Sequence, residues 1–259
     1  MELKEKYEIE DLLAIMERLR APGGCPWDMA QTHQSIKKSL IEETYEAIDA
    51  LDAGDDKAFA NELGDVLLQV VFHSQLAKER GVFDFSDVVT EICTKLITRH
   101  THVFGTDHAG DADEALANWE LNKKKEKNIE TYTGALKDVP KYLPSLMQAE
   151  KIQKKASRFG FDWENIEGVY RKIAEETEEL KEACSEGDIE HIREEYGDLL
   201  FSVVNLGRFL DVDSETALRS ASGKFVSRFE KMENSAKNDG LDMAKMTPEE
   251  LDKLWNCVK

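Results

Sequence analysis

An all-α fold is predicted for this chain, arranged as two tandem helical-bundle modules. Proline occurs only at positions 22, 26, 140, 144 and 248, so 27–139 and 145–247 lack the residue that most strongly breaks helices. Apolar residues recur at three- and four-residue intervals through long segments, and no stretch alternates at period two for long enough to suggest a sheet. An ordered set of acidic, glycine and tryptophan positions also occurs twice, which marks two copies of one helical module.

Ile9–Arg20 is the first segment with helical spacing, and Gly23-Gly24-Cys25-Pro26-Trp27-Asp28 reads as a tight turn leading into a helix. Ile36–Leu51, Glu62–Lys78 and Val88–His100 continue the helical pattern. In the second of these, Val66, Leu67, Leu68, Val70, Val71 and Phe72 are apolar nearly all round, as expected of the buried central helix of a bundle. From about Thr106 to Pro144 the chain holds Asp/Ala/Gly-rich sequence, a basic run at Lys123–Lys127 and two prolines, which suits a connector. The second copy follows, and its run Leu199, Leu200, Phe201, Val203 and Val204 again reads as a buried central helix. The expected organisation is therefore a first module over 1–125, a linker over 126–145 and a second module over 146–259.

The register of the repeat is tight. Glu42-Glu43-Thr44-x-Glu46 matches Glu175-Glu176-Thr177-x-Glu179, and Glu62-x-Gly64-Asp65 matches Glu195-x-Gly197-Asp198, both at an offset of 133 that Gly54-Asp55 and Gly187-Asp188 also keep. Lys95 and Arg99 correspond to Lys224 and Arg228 at an offset of 129. Gly24 and Trp27 pair with Gly160 and Trp163, and Trp119 pairs with Trp255, at 136.

Composition removes several classes of function. The 259 residues carry 34 Lys+Arg and 53 Asp+Glu, a formal charge of 34 − 53 = −19. So large a surplus of carboxylates disfavours a polynucleotide as primary partner, but not a small phosphorylated molecule carried with a metal cation. No apolar run approaches the roughly 18 residues that span a bilayer, and the acidic start MELKEKYEIEDLL has no signal-peptide core, so no membrane association and a cytoplasmic location are expected. Cys25, Cys93, Cys184 and Cys257 are scattered with no CxxC pair and read as ordinary reduced thiols.

Residues three or four apart on a helix share a face, so Glu176 projects with Glu179, and Glu195 with Asp198 from the next helix. Two such pairs facing each other make a four-carboxylate cage, whose repulsion and desolvation a divalent cation relieves. All-oxygen ligands favour Mg²⁺ or Mn²⁺, and the absence of any ExxH pattern argues against a di-iron centre. An isolated acidic pair in a chain this acidic is a solvated face. Here both copies keep their pairs 19 residues apart and set the second at the entrance of the most hydrophobic helix, which favours the metal reading.

Lys224 and Arg228, one turn apart, are candidates to grip phosphate oxygens, the alternative being two surface cations. Lys172, His191 and Arg193 stand where the first copy has Ser39, Ala58 and Ala60, so cationic charge is richer around the second acidic set and that module is the candidate working site. Trp255 either stacks on a nucleobase or pins the last helix, and anchoring is favoured on general grounds. His33, His73, His100, His102 and His108 form no recognisable ligand set, and Cys25 has no obvious base nearby in sequence.

With these residues the chain resembles the MazG nucleoside triphosphate pyrophosphohydrolases, in the long form with two tandem modules. The resemblance rests on the EExxE, spacer, ExxD pattern in duplicate, on Cys25-Pro26-Trp27-Asp28, on Arg99-His100-x-His102-Val103-Phe104 and on Gly160-Phe161-Asp162-Trp163. It covers essentially the whole chain. It implies an all-α homodimer that depends on Mg²⁺ and hydrolyses nucleoside triphosphates to the monophosphate and pyrophosphate, with the second copy catalytic. Residue by residue, it implies Glu176, Glu179, Glu195 and Asp198 as metal ligands. Substrate contacts would come from Lys172, Ile173, Ala174, Glu175 and Glu176, from His191, Ile192, Arg193 and Glu194, and from Asp198, Lys224, Arg228 and Trp255. For Trp255 it favours base stacking. His191 departs from relatives that carry a lysine ahead of the second acidic pair. Glu175 then becomes a candidate base or water-orienting group, with Lys224 and Arg228 stabilising the departing phosphates. The competing expectation from a different class is a non-catalytic acidic helical scaffold that binds a nucleotide or a protein; a narrower nucleotidase competes within the same class.

Overall fold

The computed structural model describes residues 3–127 and 131–258, and these residues form helices and turns with no strand among them. The chain divides into two compact units, Met1–Lys123 and Lys124–Lys259.

The first unit opens with α1 (Ile9–Arg20), whose N-terminus is closed by reciprocal bonds between the Glu8 and Asp11 side chains and backbone N–H groups. A short α2 (Pro26–Ala30) leads into α3 (Lys37–Asp52) and α4 (Asp56–Glu79), which pack side by side. The link between α3 and α4 is tight because Gly54 takes φ 70, a left-handed conformation that costs glycine little, and the Asp55 side chain then accepts from the Lys57 and Ala58 N–H groups. Met16, Ile36, Val71, Phe72 and Leu76 form the core of this unit. Arg20 braces it: its guanidinium lies 5.4 Å from the Phe72 ring centroid and forks onto Glu79 at 2.7 and 2.8 Å. The unit continues through α5 (Phe85–Arg99), α6 (Thr101–Phe104) and α7 (Ala112–Glu126), the last of which runs across the boundary.

In the second unit, α9 (Ser145–Ser157) lies against α11 (Ile189–Phe209), and α11 pairs along its length with α10 (Ile166–Glu186). The α10–α11 link repeats the α3–α4 link: Gly187 takes φ 74, and Asp188 accepts from the Glu190 and His191 N–H groups. The helices α12 (Ser214–Asn238) and α13 (Pro248–Cys257) pack on each other, joined through a short 3₁₀ turn at Met243–Lys245. Gly168 lets the Trp163 ring lie flush on α10, since a Cβ there would stand 2.7 Å from the indole Cε3.

Two features differ from the plain expectation. The 126–145 stretch, expected as a connector, contains α8 (Tyr132–Lys137), with Ala135 and Val139 buried and Asp138 ion-paired to Lys127 and Lys155; residues 128–130 lie outside the described residues. The two apolar runs are not wholly buried. In α4, Val71 and Phe72 are buried but Leu67 is exposed, and in α11 only Val204 of the run is buried while Leu200, Phe201 and Val203 are exposed. Paired helices cover a stripe of each other, and α9 covers a second stripe of α11, which leaves apolar surface uncovered within the chain.

Phe72 is the largest side chain of the first unit's buried cluster, so Phe72→Ala is expected to cost about 3–5 kcal/mol in chemical denaturation of the first unit.

Candidate active site

The carboxylates converge where α10 meets α11. One oxygen from each of Glu176, Glu195 and Asp198 lies within 4.8 Å of the others, and Glu175, Glu176 and Glu179 form an overlapping group under the same limit. Glu176 is only 4% exposed, an unusual place for a carboxylate. Burial, and next the negative charge of Glu176, push the Glu179 carboxyl above its ordinary range. The structure thus brings Glu176 together with Glu195 and Asp198 across the two helices, while Glu179 joins Glu176 and Glu175 along α10, and oxygen-only groups of this kind suit a hard divalent cation.

Cations from the chain sit at the edge of this group. Lys172 Nζ lies 2.6 Å from Glu176 and 2.7 Å from Glu175, and these two carboxylates hold its ammonium well above its ordinary value. His191 reaches Glu186 through Nδ1 at 3.2 Å and Glu195 through Nε2 at 3.3 Å; the bond to Glu186 raises its pKa. Arg193 is exposed and turned to Glu190. Ile173 and Ile192 are half-buried in the helices, while Ala174, Glu175 and Glu194 are exposed.

A cavity of about 670 Å³ opens beside the carboxylates. Lys172, Glu176 and Asp198 line it together with the apolar side chains Ile152, Phe161, Trp163 and Phe201, so one hollow offers both a charged side and an apolar side. Lys224, Arg228 and Trp255 are not among its lining residues. Arg228 and Trp255 meet where α12 meets α13, with Arg228 lying 4.1 Å from the Trp255 ring centroid and donating to the Trp255 carbonyl at 2.9 Å, and Phe225 packed against the same indole; Lys224 is exposed on α12. One face of the indole is thus covered, as anchoring requires.

The first unit keeps part of this arrangement. Glu43, Glu62 and Asp65 meet the same 4.8 Å limit, and burial followed by the charge of Asp65 raises the Glu43 carboxyl. Even the aromatic pair recurs, with Arg99 stacked 5.2 Å from the Trp119 centroid.

The MazG nucleotide pyrophosphohydrolase domain family matches residues 31–104 and 164–232, more than half of the chain and once in each unit. The chain belongs to the MazG family. It is similar to the nucleoside triphosphate pyrophosphohydrolase/pyrophosphatase MazG of Thermotoga maritima, 50% identical over 250 residues that cover 96% of this chain and 95% of that protein. The nucleoside triphosphate pyrophosphohydrolase of Escherichia coli is 42% identical over 255 residues, 97% of each chain. An uncharacterized Bacillus subtilis protein is 44% identical over 254 residues, which span 98% of this chain but 52% of that longer one. MazG membership carries with it hydrolase chemistry that works with a divalent metal, in keeping with the carboxylate groups in both units.

Sequence reasoning gave the cavity walls no site role, although Gly160-Phe161-Asp162-Trp163 among them is a motif of the resemblance. Gln153, Asp162, Ser202, Asn205 and Arg208 all line the hollow, and the signal that could have found the last three is the point where the repeat fails: Gln69, Phe72 and Gln75 stand in their places in the first copy. It also missed the stacked pair His33 and His73, whose Nδ1 atoms are 2.8 Å apart, because no periodicity links residues 40 apart.

Lys172 occupies the carboxylates as an internal counterion and so opposes entry of another cation. With the first unit silenced by Glu43→Gln, Lys172→Met is expected to tighten Mn²⁺ binding about tenfold in nucleotide-free calorimetry, since one positive charge a few ångströms away is removed. Unchanged affinity would show that the ammonium does not compete.

Proposed function

We propose that this MazG chain hydrolyses nucleoside triphosphates to the monophosphate and pyrophosphate in its second unit, with Mg²⁺, or Mn²⁺ in its place, as cofactor. The observation that carries the reading is the convergence of Glu176, Glu195 and Asp198 oxygens within 4.8 Å beside a cavity large enough for a nucleoside. The names of the Thermotoga and Escherichia relatives, which match end to end, support it.

Glu176, Glu179, Glu195 and Asp198 would hold the metal, which when bound supplies positive charge to the phosphates and makes water a better nucleophile near neutral pH. Glu175, beside the ligand set but exposed and paired with Lys172, is placed to orient the attacking water or accept its proton. Lys172, paired with Glu175 and Glu176 in the chain alone, would turn its charge to a phosphate oxygen when those carboxylates are engaged by the cation. His191 and the Ile192–Glu194 turn flank the triphosphate from α11. Attack at the α-phosphorus in line with the departing pyrophosphate requires charge on the far side of the triphosphate, a role for Lys224 and Arg228. Trp255, adjoining Arg228, would meet the nucleotide with the uncovered part of its ring.

The first module, 1–125, is proposed to be non-catalytic: it retains carboxylates but has Ser39, Ala58 and Ala60 where the second has Lys172, His191 and Arg193. The second module, 146–259, carries the reaction, and 126–145 links them. A homodimer is proposed, supported by exposed apolar residues on α11 and α12, among them Leu200, Phe201, Phe225 and Val226. No helix among the described residues is long and apolar enough to cross a membrane, and a cytoplasmic enzyme of the nucleotide pool suits that finding.

The test is release of monophosphate and pyrophosphate from a panel of triphosphates with Mg²⁺. Glu176→Gln and Glu195→Gln are expected to lose about 100-fold or more in kcat, as removal of one preorganised charge at a reacting phosphate does. Glu43→Gln and Glu62→Gln are expected to stay within about twofold if they touch only the silent module. The reverse pattern would move the activity to the first unit, and metal binding without turnover would favour the non-catalytic scaffold.

A further inference from the structure

Asp162, Asn205 and Arg208 line the same cavity as Lys172, Glu176 and Asp198 and form a chain of fixed contacts. Arg208 is gripped by Asp162, with Nη1 donating at 2.9 Å and Nη2 bonded to the other carboxylate oxygen. The same guanidinium donates to Asn205 Oδ1, from Nη2 at 2.9 Å and from Nε at 3.2 Å. A guanidinium has donors only, so it dictates which end of the Asn205 amide faces it: the oxygen. The amide nitrogen, with two N–H donors, is therefore turned away from Arg208. It has no partner among the described residues, and Asn205 is half-buried.

The repeat shows that this device belongs to the second unit. Asn205 corresponds to Phe72 and Arg208 to Gln75 at the offset of 133, and Asp162 corresponds to Pro26 at 136. Phe72 is part of the first unit's apolar core. An asparagine in a helix segment that otherwise reads Leu199, Leu200, Phe201, Val203, Val204 and Leu206 gives up apolar burial, and it puts an unpaired donor group on a residue that lines a hollow.

We infer that Asn205 is a specificity-determining residue, donating from its amide nitrogen to a carbonyl oxygen or ring nitrogen on the edge of a nucleobase seated in this cavity. This rests on the triphosphate hydrolysis proposed for the carboxylates that line the same cavity. With the phosphates drawn to the Glu176 and Asp198 side, the flat apolar base is left to the walls made by Ile152, Phe161, Trp163 and Phe201. Trp255 does not line the cavity, so any stacking by its indole is separate from reading of the base edge by Asn205.

The test compares steady-state kinetics of wild type, Asn205→Asp and Asn205→Ala with ATP, GTP, CTP and UTP, using inorganic triphosphate as a base-free competitor. Asn205→Asp keeps the oxygen that Arg208 needs and removes the donors; Asn205→Ala removes them without adding charge. For both variants KM is expected to rise about tenfold for the preferred triphosphate, with kcat within about twofold, as loss of one ground-state hydrogen bond predicts. The inhibition constant of inorganic triphosphate should stay within about twofold. If the variants keep wild-type KM values, or if affinity for inorganic triphosphate falls in step with affinity for the nucleotides, Asn205 is only a structural tether and the inference is overturned. A wild-type protein that hydrolyses none of the four would instead sink the underlying assignment of activity, and is told apart because it appears before any substitution is made.

Discussion

Negative charge crowded at a helix–helix contact is the constraint around which the second unit is built. Glu176 is almost fully buried on α10, and Glu195 and Asp198 face it from α11, an arrangement that repulsion and desolvation oppose. In the chain alone, Lys172 bridges Glu175 and Glu176, and His191 leans on Glu195, so the structure already contains partial neutralisation by its own cations. Such counterions satisfy the site without filling it. A divalent ion with oxygen ligands answers the whole group at once, which links the packing of two helices to the chemistry the family performs.

The two units make the same point by contrast. Both have the glycine-and-aspartate link that fixes the register of a helix pair, at Gly54-Asp55 and at Gly187-Asp188, and both gather three carboxylates by means of it. They diverge in what stands beside those carboxylates. In the first unit Phe72 is part of the core, braced by Arg20, whereas in the second its counterpart Asn205 lines a hollow and Arg208 is turned to Asp162. A carboxylate cluster is cheap to retain after duplication because spacing alone maintains it. A cavity must be kept open against the gain from filling it.

Much of this was legible in the chain itself. Helical spacing named Glu176, Glu179, Glu195 and Asp198, because an i to i+3 relation fixes a common face whatever the tertiary context. The repeat supplied the second helix of the pair and directed attention to Lys172 and His191. The expectation that Leu200, Phe201 and Val203 are buried did not survive, since an apolar run reports a surface that wants cover, not whether cover comes from the same chain. Lys224, Arg228 and Trp255 were grouped with the carboxylates by resemblance; within the chain, Arg228 pairs with Trp255 at the α12–α13 contact.

The sequence by itself determined the helical class, the duplication and the identity of the carboxylates, because each is encoded in local periodicity or in a fixed offset between positions. Only the tertiary structure decided that Glu176 is buried, that Asp162 on a loop and Arg208 on α11 meet across 46 residues, and that these walls enclose a hollow. Those features depend on which faces of α9, α10 and α11 come together. Non-local packing of that kind leaves no period in the chain to be read.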